Sequence, residues 1–220
     1  MTTIKPALEL GARAAIARRT EKLLRRVGAL RDGHLRLGSG DHVGVVFDVR
    51  ALLADPAATS ELCAFLAGEY GPGEGREEPR IDAVAGPPGS GGSPVGGAIL
   101  AFETARRIGV RVILGTFATA PGEASSQGAR ILLVDDAVVT GRSMVAAATA
   151  IEAAGGRIVG CAAIGDLRGG GPNTLTSPAT GRAFPFRALW RPTGPAWEPG
   201  AATCPRCADG TPLRGAGGGG

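Results

Sequence analysis

Lysine is nearly missing from this chain, which carries it only at Lys5 and Lys22, and histidine occurs only at His34 and His42. The stock of conventional bases and metal ligands is therefore short, and much chemistry is excluded by absence. Aromatic residues make up only 4% of the sequence, and the formal charge of +4 comes from scattered basic residues, almost all arginine. That pattern argues against a nucleic-acid binder, which would cluster its cations and interleave them with aromatics. No apolar run approaches the roughly 20 residues of a membrane helix. Met1–Lys5 has no apolar segment of the signal-peptide kind. The expectation is a cytoplasmic protein with neither membrane nor nucleic acid as partner.

Cysteine is also scarce. Cys63, Cys161, Cys204 and Cys207 are too few and too unevenly spaced for a secreted disulfide scaffold. Cys204-Pro-Arg-Cys207 has the spacing of half a zinc site, but no companion pair exists. It reads as a tail turn with two free thiols, and no metal-ligating residue is assigned.

What is present is enough for a core: 220 residues, 44% of them hydrophobic, near the expected size of one domain. Residues 6 to 30 carry apolar side chains at helical spacing (Leu8, Ile16, Leu23, Leu24, Val27) and end near Gly28, which predicts an amphipathic helix. Leu35–Leu37 and Val43–Phe47 read as short extended pieces. Asp55-Pro56 supplies an N-cap and first-turn proline for a helix through about Glu69. From residue 80 short apolar runs alternate with helical segments, the mark of βαβ units and a parallel sheet. The strands are Ile81–Ala85, Val110–Leu114, Ile131–Val134 and Ile158–Ile164. The helices are Val95 to Ile108 and Ser143 to Ala154, the latter closed by Gly155-Gly156. Three regions follow: residues 1–79, an α/β core over 80–190, and a Pro/Gly-rich tail over 191–220 that can bury little and is expected to move.

In an open α/β sheet, ligands bind beyond the carboxyl ends of the strands. The most informative stretch follows the third strand: Ile131-Leu-Leu-Val-Asp-Asp-Ala-Val-Val-Thr-Gly-Arg-Ser143. Paired carboxylates accept hydrogen bonds from vicinal hydroxyls. A helix N-terminus with Thr140 and Ser143 donates to a phosphate, and Gly141 lets the backbone approach it. A ribose 5-phosphate satisfies both halves. A strand-end acid and turn occurs in many parallel sheets, but the whole order of residue types is more specific than that. The opening also looks like a response-regulator receiver domain, which needs a later aspartate and a lysine near its end; no lysine follows Lys22. No GxxxxGK[ST] P-loop is present.

This stretch resembles the phosphoribosyl-pyrophosphate (PRPP) signature of type I phosphoribosyltransferases, with Val139 where threonine is frequent. The wider pattern, over roughly residues 20 to 214, resembles orotate phosphoribosyltransferases. Gly28 to Gly40 is similar to the segment leading into a glycine-serine-glycine turn over the base. Ile81–Pro87 followed by Gly96–Gly109 is similar to the strand, pyrophosphate loop and helix, here lengthened by Pro88 to Val95. Cys204 to Leu213 is similar to an ending seen in some bacterial members.

The resemblance implies an α/β phosphoribosyltransferase fold, with a mostly parallel central sheet flanked by helices and a small N-terminal hood. It implies Asp135 and Asp136 as catalytic groups on the ribose, and Ala137, Val138, Val139, Thr140, Gly141, Arg142 and Ser143 around the 5′-phosphate. Gly96 and Gly97 would meet the pyrophosphate, and Ser39, Gly40 and Arg168 the base. Mg²⁺ is the implied cofactor, PRPP and a small heterocyclic base are the substrates, and a homodimer is the assembly.

Three departures stand out. The loop Thr116 to Ala129, basic in the family, has no basic residue before Arg130. Gly38 stands where a lysine is expected, and Val43 where a serine is. The leading expectation is transfer of ribose 5-phosphate from PRPP to orotate or a similar base. The alternative is a weakened paralogue that binds PRPP or a nucleotide for regulation. Arg50 and Arg130 are the first candidates to replace the missing loop cation.

Overall fold

In the computed structural model, residues 10–70, 81–88, 95–114 and 126–215 are described. The chain opens with α1 (Leu10–Arg26), the hairpin β1 (Leu30–Arg36) and β2 (His42–Phe47), then α2 (Val49–Leu53) and α3 (Pro56–Tyr70). The core follows as β3 (Ala83–Ala85), α4 (Gly96–Ile108), β4 (Arg111–Ile113), β5 (Arg130–Val138), α5 (Arg142–Ala153) and β6 (Arg157–Asp166). It closes with β7 (Thr174–Thr176), β8 (Ala183–Trp190), β9 (Ala196–Trp197), α6 (Pro205–Ala208) and β10 (Arg214–Gly215).

The main sheet has the order β4-β3-β5-β6-β8-β7. Its first five strands run parallel and β7 lies antiparallel on the edge. Alternation along β5 divides the core in two, because successive side chains point to opposite faces. Leu132 and Val134 join Leu23, Leu24, Leu62, Leu66 and Leu100 under α1, α3 and α4. Ile131 and Leu133 join Met144, Ala147 and Ile151 of α5, with Phe184 and Phe186. Covered on both faces, β5 and β6 read as continuous apolar runs rather than alternating ones.

The predicted helices and strands lie within a few residues of those observed, and Asp55 caps α3 as expected, accepting a hydrogen bond from Ala58 N at 2.9 Å. Two expectations need correction. β5 does not stop at Val134; it stays paired with β6 through Val138↔Asp166. Aspartate is disfavoured in strands, so the sequence pattern breaks at Asp135 although the ladder continues against Ala162–Gly165.

The tail over 191–215 is also not loose. β9 pairs with β2, and β10 pairs with β1, giving a second sheet in the order β10-β1-β2-β9. Strands of two residues are below what periodicity can detect, and Pro185 within β8 masks that strand as well.

The hood sheet is held over the core by its own turn. Leu167 N donates to Val138 O at 2.8 Å, and Gly38 N donates to Leu167 O at 2.9 Å. A Cβ on Gly38 would lie 1.9 Å from Val139 O and 3.3 Å from Arg168 Cα. Glycine is therefore required here by close backbone approach, which also explains why the lysine expected at this position is missing. Gly38→Ala should cost about 1–3 kcal/mol, the range for overpacking a tight contact. A denaturant titration that returned wild-type stability would show that the turn can lift without loss.

Candidate functional site

The elements that carry the predicted residues meet at the carboxyl ends of β3, β5 and β6. Asp135 and Asp136 sit half-buried in the β5 extension, Asp135 opposite Ala163 of β6. Asp136 N donates to Asp135 Oδ1 at 2.9 Å, and Ala137 N donates to Asp136 Oδ1. Burial pushes the Asp135 carboxyl above the ordinary aspartate range, and the adjacent Asp136 charge adds to it. Asp136 is also raised, again by burial, against the backbone N–H groups that favour its ionised form. Among the described residues neither forms an ion pair. Two desolvated acids without a cation are an unstable arrangement for the ionised pair and a good one for hydroxyl donors or a hard, oxygen-seeking ion.

Beyond Val138 the chain turns through Val139, Thr140 and Gly141 into α5. Gly141 is the N-cap at φ +79°, a left-handed conformation that favours glycine, and a Cβ there would come within 2.9 Å of Leu175 Cδ2. No side chain caps the helix in the usual way; Thr140 Oγ1 only receives Arg142 N at 3.4 Å. Uncapped first-turn N–H groups and the positive helix end suit an anion. Arg142 is exposed beside them, and Ser143 half-buried. Ala137 and Val138 belong instead to the strand. Ala137 N is taken by Asp136 Oδ1 and Val138 O by Leu167 N, so the turn into α5 proper is Val139–Ser143.

β3 lies next to β5, so the start of α4 flanks this loop. α4 likewise has no side-chain cap at Val95. Gly96 and Gly97 are buried, and a Cβ on Gly97 would meet Pro87 O at 3.0 Å, while one on Gly86 would meet Gly97 O at 2.2 Å. Close approach to the start of α4 thus already demands glycine at 86 and favours it at 97. Residues 89–94 of the lengthened loop lie outside the described residues.

The hood turn lies over the end of β6. Ser39 Oγ donates to Asp41 Oδ2 at 3.0 Å and sits 2.1 Å from where a Cβ on Gly169 would be. Ser39 is therefore brought against Gly169 of the segment that follows β6. The Arg168 side chain is differently engaged. Its Nε and Nη2 donate to Asp166 at 2.9 Å each, Nη1 to Thr174 O at 2.9 Å and Nη2 to Pro172 O at 3.0 Å. The guanidinium also stacks over Phe186, 4.7 Å from the ring centroid. Asp166, almost fully buried, is shared with Arg191 at 3.0 Å. Arg168 thus acts here as a clamp on the loop after β6, with most of its donors already used.

The two arginines proposed as replacement cations are elsewhere. Arg130 begins β5, at the amino end, and its N and Nε donate to Asp82 Oδ2 at 2.9 and 3.4 Å. Five residues of strand, at about 3.3 Å each, separate it from Asp135. Arg50 lies past the far end of β2 and holds Asp48 with two bonds of 3.0 Å. Ser126 and Gln127 also lie at the amino end: Ser126 Oγ donates to Ala154 O, and Gly128 N to Gly155 O. Residues 116–125 are outside the described residues.

Sequence reasoning missed one cluster. His34 of β1 and His42 of β2 converge on Cys204 and Cys207 at the hood's outer part, with their ligand atoms all within 4.8 Å of one another. Cys204 is 170 residues from His34, so no local motif joins the pairs.

Comparison with known proteins agrees with this arrangement. Residues 82–173 match the phosphoribosyl transferase domain model. An orotate phosphoribosyltransferase of Thermus thermophilus is 35% identical over 198 residues, covering 87% of this chain and 96% of that protein. One from Novosphingobium aromaticivorans is 35% identical over 170 residues, covering 75% and 80%. Among solved structures, orotate phosphoribosyltransferase from Aeropyrum pernix superposes with a TM-score of 0.56 at 21% identity, covering 78% of this chain and 93% of that one. Adenine phosphoribosyltransferase from Trypanosoma brucei gives 0.54 at 19% identity, covering 86% of each. With a hood turn, then paired acids and an uncapped helix start in this order, and with a third of its residues shared along nearly the whole of a known relative, the chain belongs to the type I phosphoribosyltransferase family.

Proposed function

We propose that this protein transfers ribose 5-phosphate from PRPP to a ring nitrogen of orotate or a closely similar base, releasing pyrophosphate. The observation that carries the reading is the pair Asp135–Asp136, raised by burial and without a cation partner among the described residues, beside the uncapped start of α5 and near the hood turn. The orotate specificity is supported by the names of the relatives just described. In this reading the two carboxylates accept hydrogen bonds from the ribose hydroxyls and oppose the positive character that builds at the anomeric carbon. Val139–Ser143 and the helix dipole hold the 5′-phosphate, Arg142 adding charge, and the start of α4 faces the diphosphate. The Ser39–Gly40 turn covers the base and excludes water. No protein nucleophile is needed; positioning and electrostatics supply the catalysis. The oxygen donors of Asp135 and Asp136 suit Mg²⁺, directly or through the ribose hydroxyls, and when bound it would offset charge on the leaving diphosphate.

The second reading, a paralogue that binds PRPP but turns over slowly, is favoured by one observation. The segment Thr116–Ala129 has no basic residue, and Arg50 and Arg130 are committed to Asp48 and Asp82 away from the site. The homodimer is supported by a stripe of exposed apolar side chains on α4, Val95, Ile99 and Phe102, with Leu114 beyond β4. The stripe follows the i, i+4, i+7 spacing of one helix face.

Replacing both Asp135 and Asp136 with asparagine should weaken PRPP binding at least tenfold, about 1.4 kcal/mol, as measured by calorimetry with Mg²⁺. The same variant should melt at or above the wild-type temperature at neutral pH. A carboxyl whose folded pKa is raised contributes stability that is complete below its unfolded pKa and is lost as pH rises through the folded one. Removing that charge relieves the cost. Unchanged PRPP affinity would remove the central assignment.

On the slow-paralogue reading, orotate turnover measured by pyrophosphate release should fall at least roughly a hundredfold below a typical 10 s⁻¹, and a lysine placed at Ser126, on the amino side of the sheet, should not raise it. Ordinary turnover by the unmodified protein would dispose of the slow-paralogue reading. Phe102→Glu should convert a dimer to monomer in light scattering, and an unaltered dimer would place the interface elsewhere.

A further inference from the structure

We propose that His34, His42, Cys204 and Cys207 bind one structural Zn²⁺ within a single chain. The four candidate atoms are His34 Nε2, His42 Nδ1 and the two Sγ atoms. Cys204 Sγ is 3.5 Å from His34 Nε2, Cys207 Sγ is 3.7 Å from His34 Nε2 and 3.3 Å from His42 Nδ1, and the two ring nitrogens are 2.8 Å apart. All six separations lie within 4.8 Å. A tetrahedral ion with Zn–S near 2.3 Å and Zn–N near 2.0–2.1 Å requires edges of about 3.3–3.8 Å. The cluster already has the size of that tetrahedron, and the nitrogens need to separate by only about half an ångström.

A second, independent feature aims the ligands. His34 Nδ1 lies 2.8 Å from Thr211 O. A carbonyl can only accept, so Nδ1 carries the proton and Nε2 presents its lone pair to the other three atoms. This is the outer hydrogen bond that fixes the tautomer of metal-bound histidines. His34, His42 and Cys204 are buried, and Cys207 is partly so, which fits a closed site without an open position for a substrate. Two thiolates and two imidazoles select zinc over magnesium or calcium. The only two histidines of the chain meet two of its four cysteines here, although the scarcity of both residue types makes such a meeting improbable by composition alone.

The role follows from position. His34 and His42 flank the Gly38–Gly40 turn on β1 and β2, while the thiols lie at the start and within α6, between β9 and β10. The ion would tie the tail to the hood hairpin and hold the turn over the core. This inference does not depend on the transferase reading.

The test is metal analysis of the full-length protein purified without chelator. One zinc per chain is expected, together with intense visible d–d bands in the cobalt-substituted form, as tetrahedral sulfur and nitrogen ligands give. Cys207→Ser should weaken zinc at least about 100-fold, beyond the 10- to 100-fold cost of losing only an outer partner. Should that variant fail to fold, competition of the unmodified protein with a zinc chelator gives the affinity directly. Chelation should lower the melting temperature, and added zinc restore it. Protein free of zinc when prepared with the metal supplied, half an equivalent shared between chains, or a Cys204–Cys207 disulfide in the native protein would each overturn the proposal.

Discussion

The site rests on a short relay of backbone hydrogen bonds, Gly38 N to Leu167 O and Leu167 N to Val138 O. Each bond contributes only about 0.5–1.5 kcal/mol net. Together they set three separate segments in register: the hood turn, the end of β6 and the end of the acid-bearing strand. The glycine at 38 is what allows this, because a side chain there would collide with the carbonyl of Val139. Once the relay is made, Ser39 lies against Gly169, and Val139, which opens the turn into α5, packs its carbonyl against Gly38.

Much of this was legible in the sequence, for identifiable reasons. The α/β alternation after residue 80 has a strong period, and Asp55 capped α3 as its identity implies. The acid pair, Gly141 and the following helix were recognisable because their order of residue types is unusual. What was not legible depended on contacts remote in sequence. Asp135 and Asp136 looked like turn residues, yet β6 keeps them in a strand. Arg130 looked available, but position on the amino end of β5 and Asp82 remove it from the site. Gly97 read as a pyrophosphate ligand from its sequence, whereas its close approach to Pro87 O also favours a glycine there. The four-ligand cluster was unreadable because its halves stand at opposite ends of the chain.

The site illustrates a conflict between stability and use. Asp135 and Asp136 are half-buried and paired with no cation among the described residues, and burial raises both carboxyls. A stable protein would rarely place two adjacent acids there. Their retention makes sense if the deficit is what a ligand relieves, since a binding partner that supplies donors or positive charge recovers part of that energy on arrival. Arg168 is the opposite case. Its charge is paired with Asp166 and two carbonyls, so in this structure it stiffens the glycine loop.

The pairing of Leu35 with Arg214 and of His42 with Trp197 also fixes an order of events during biosynthesis. The hairpin β1–β2 is synthesised before the core, but both strands that flank it come after the whole of β3–β8 in the chain. A growing chain can assemble the β3–β6 core while the hood still has two unpaired edges, the condition in which nascent strands are most exposed to intermolecular pairing. Completion of the lid over the carboxyl ends thus follows synthesis of the whole core and is governed by closure of a very long loop.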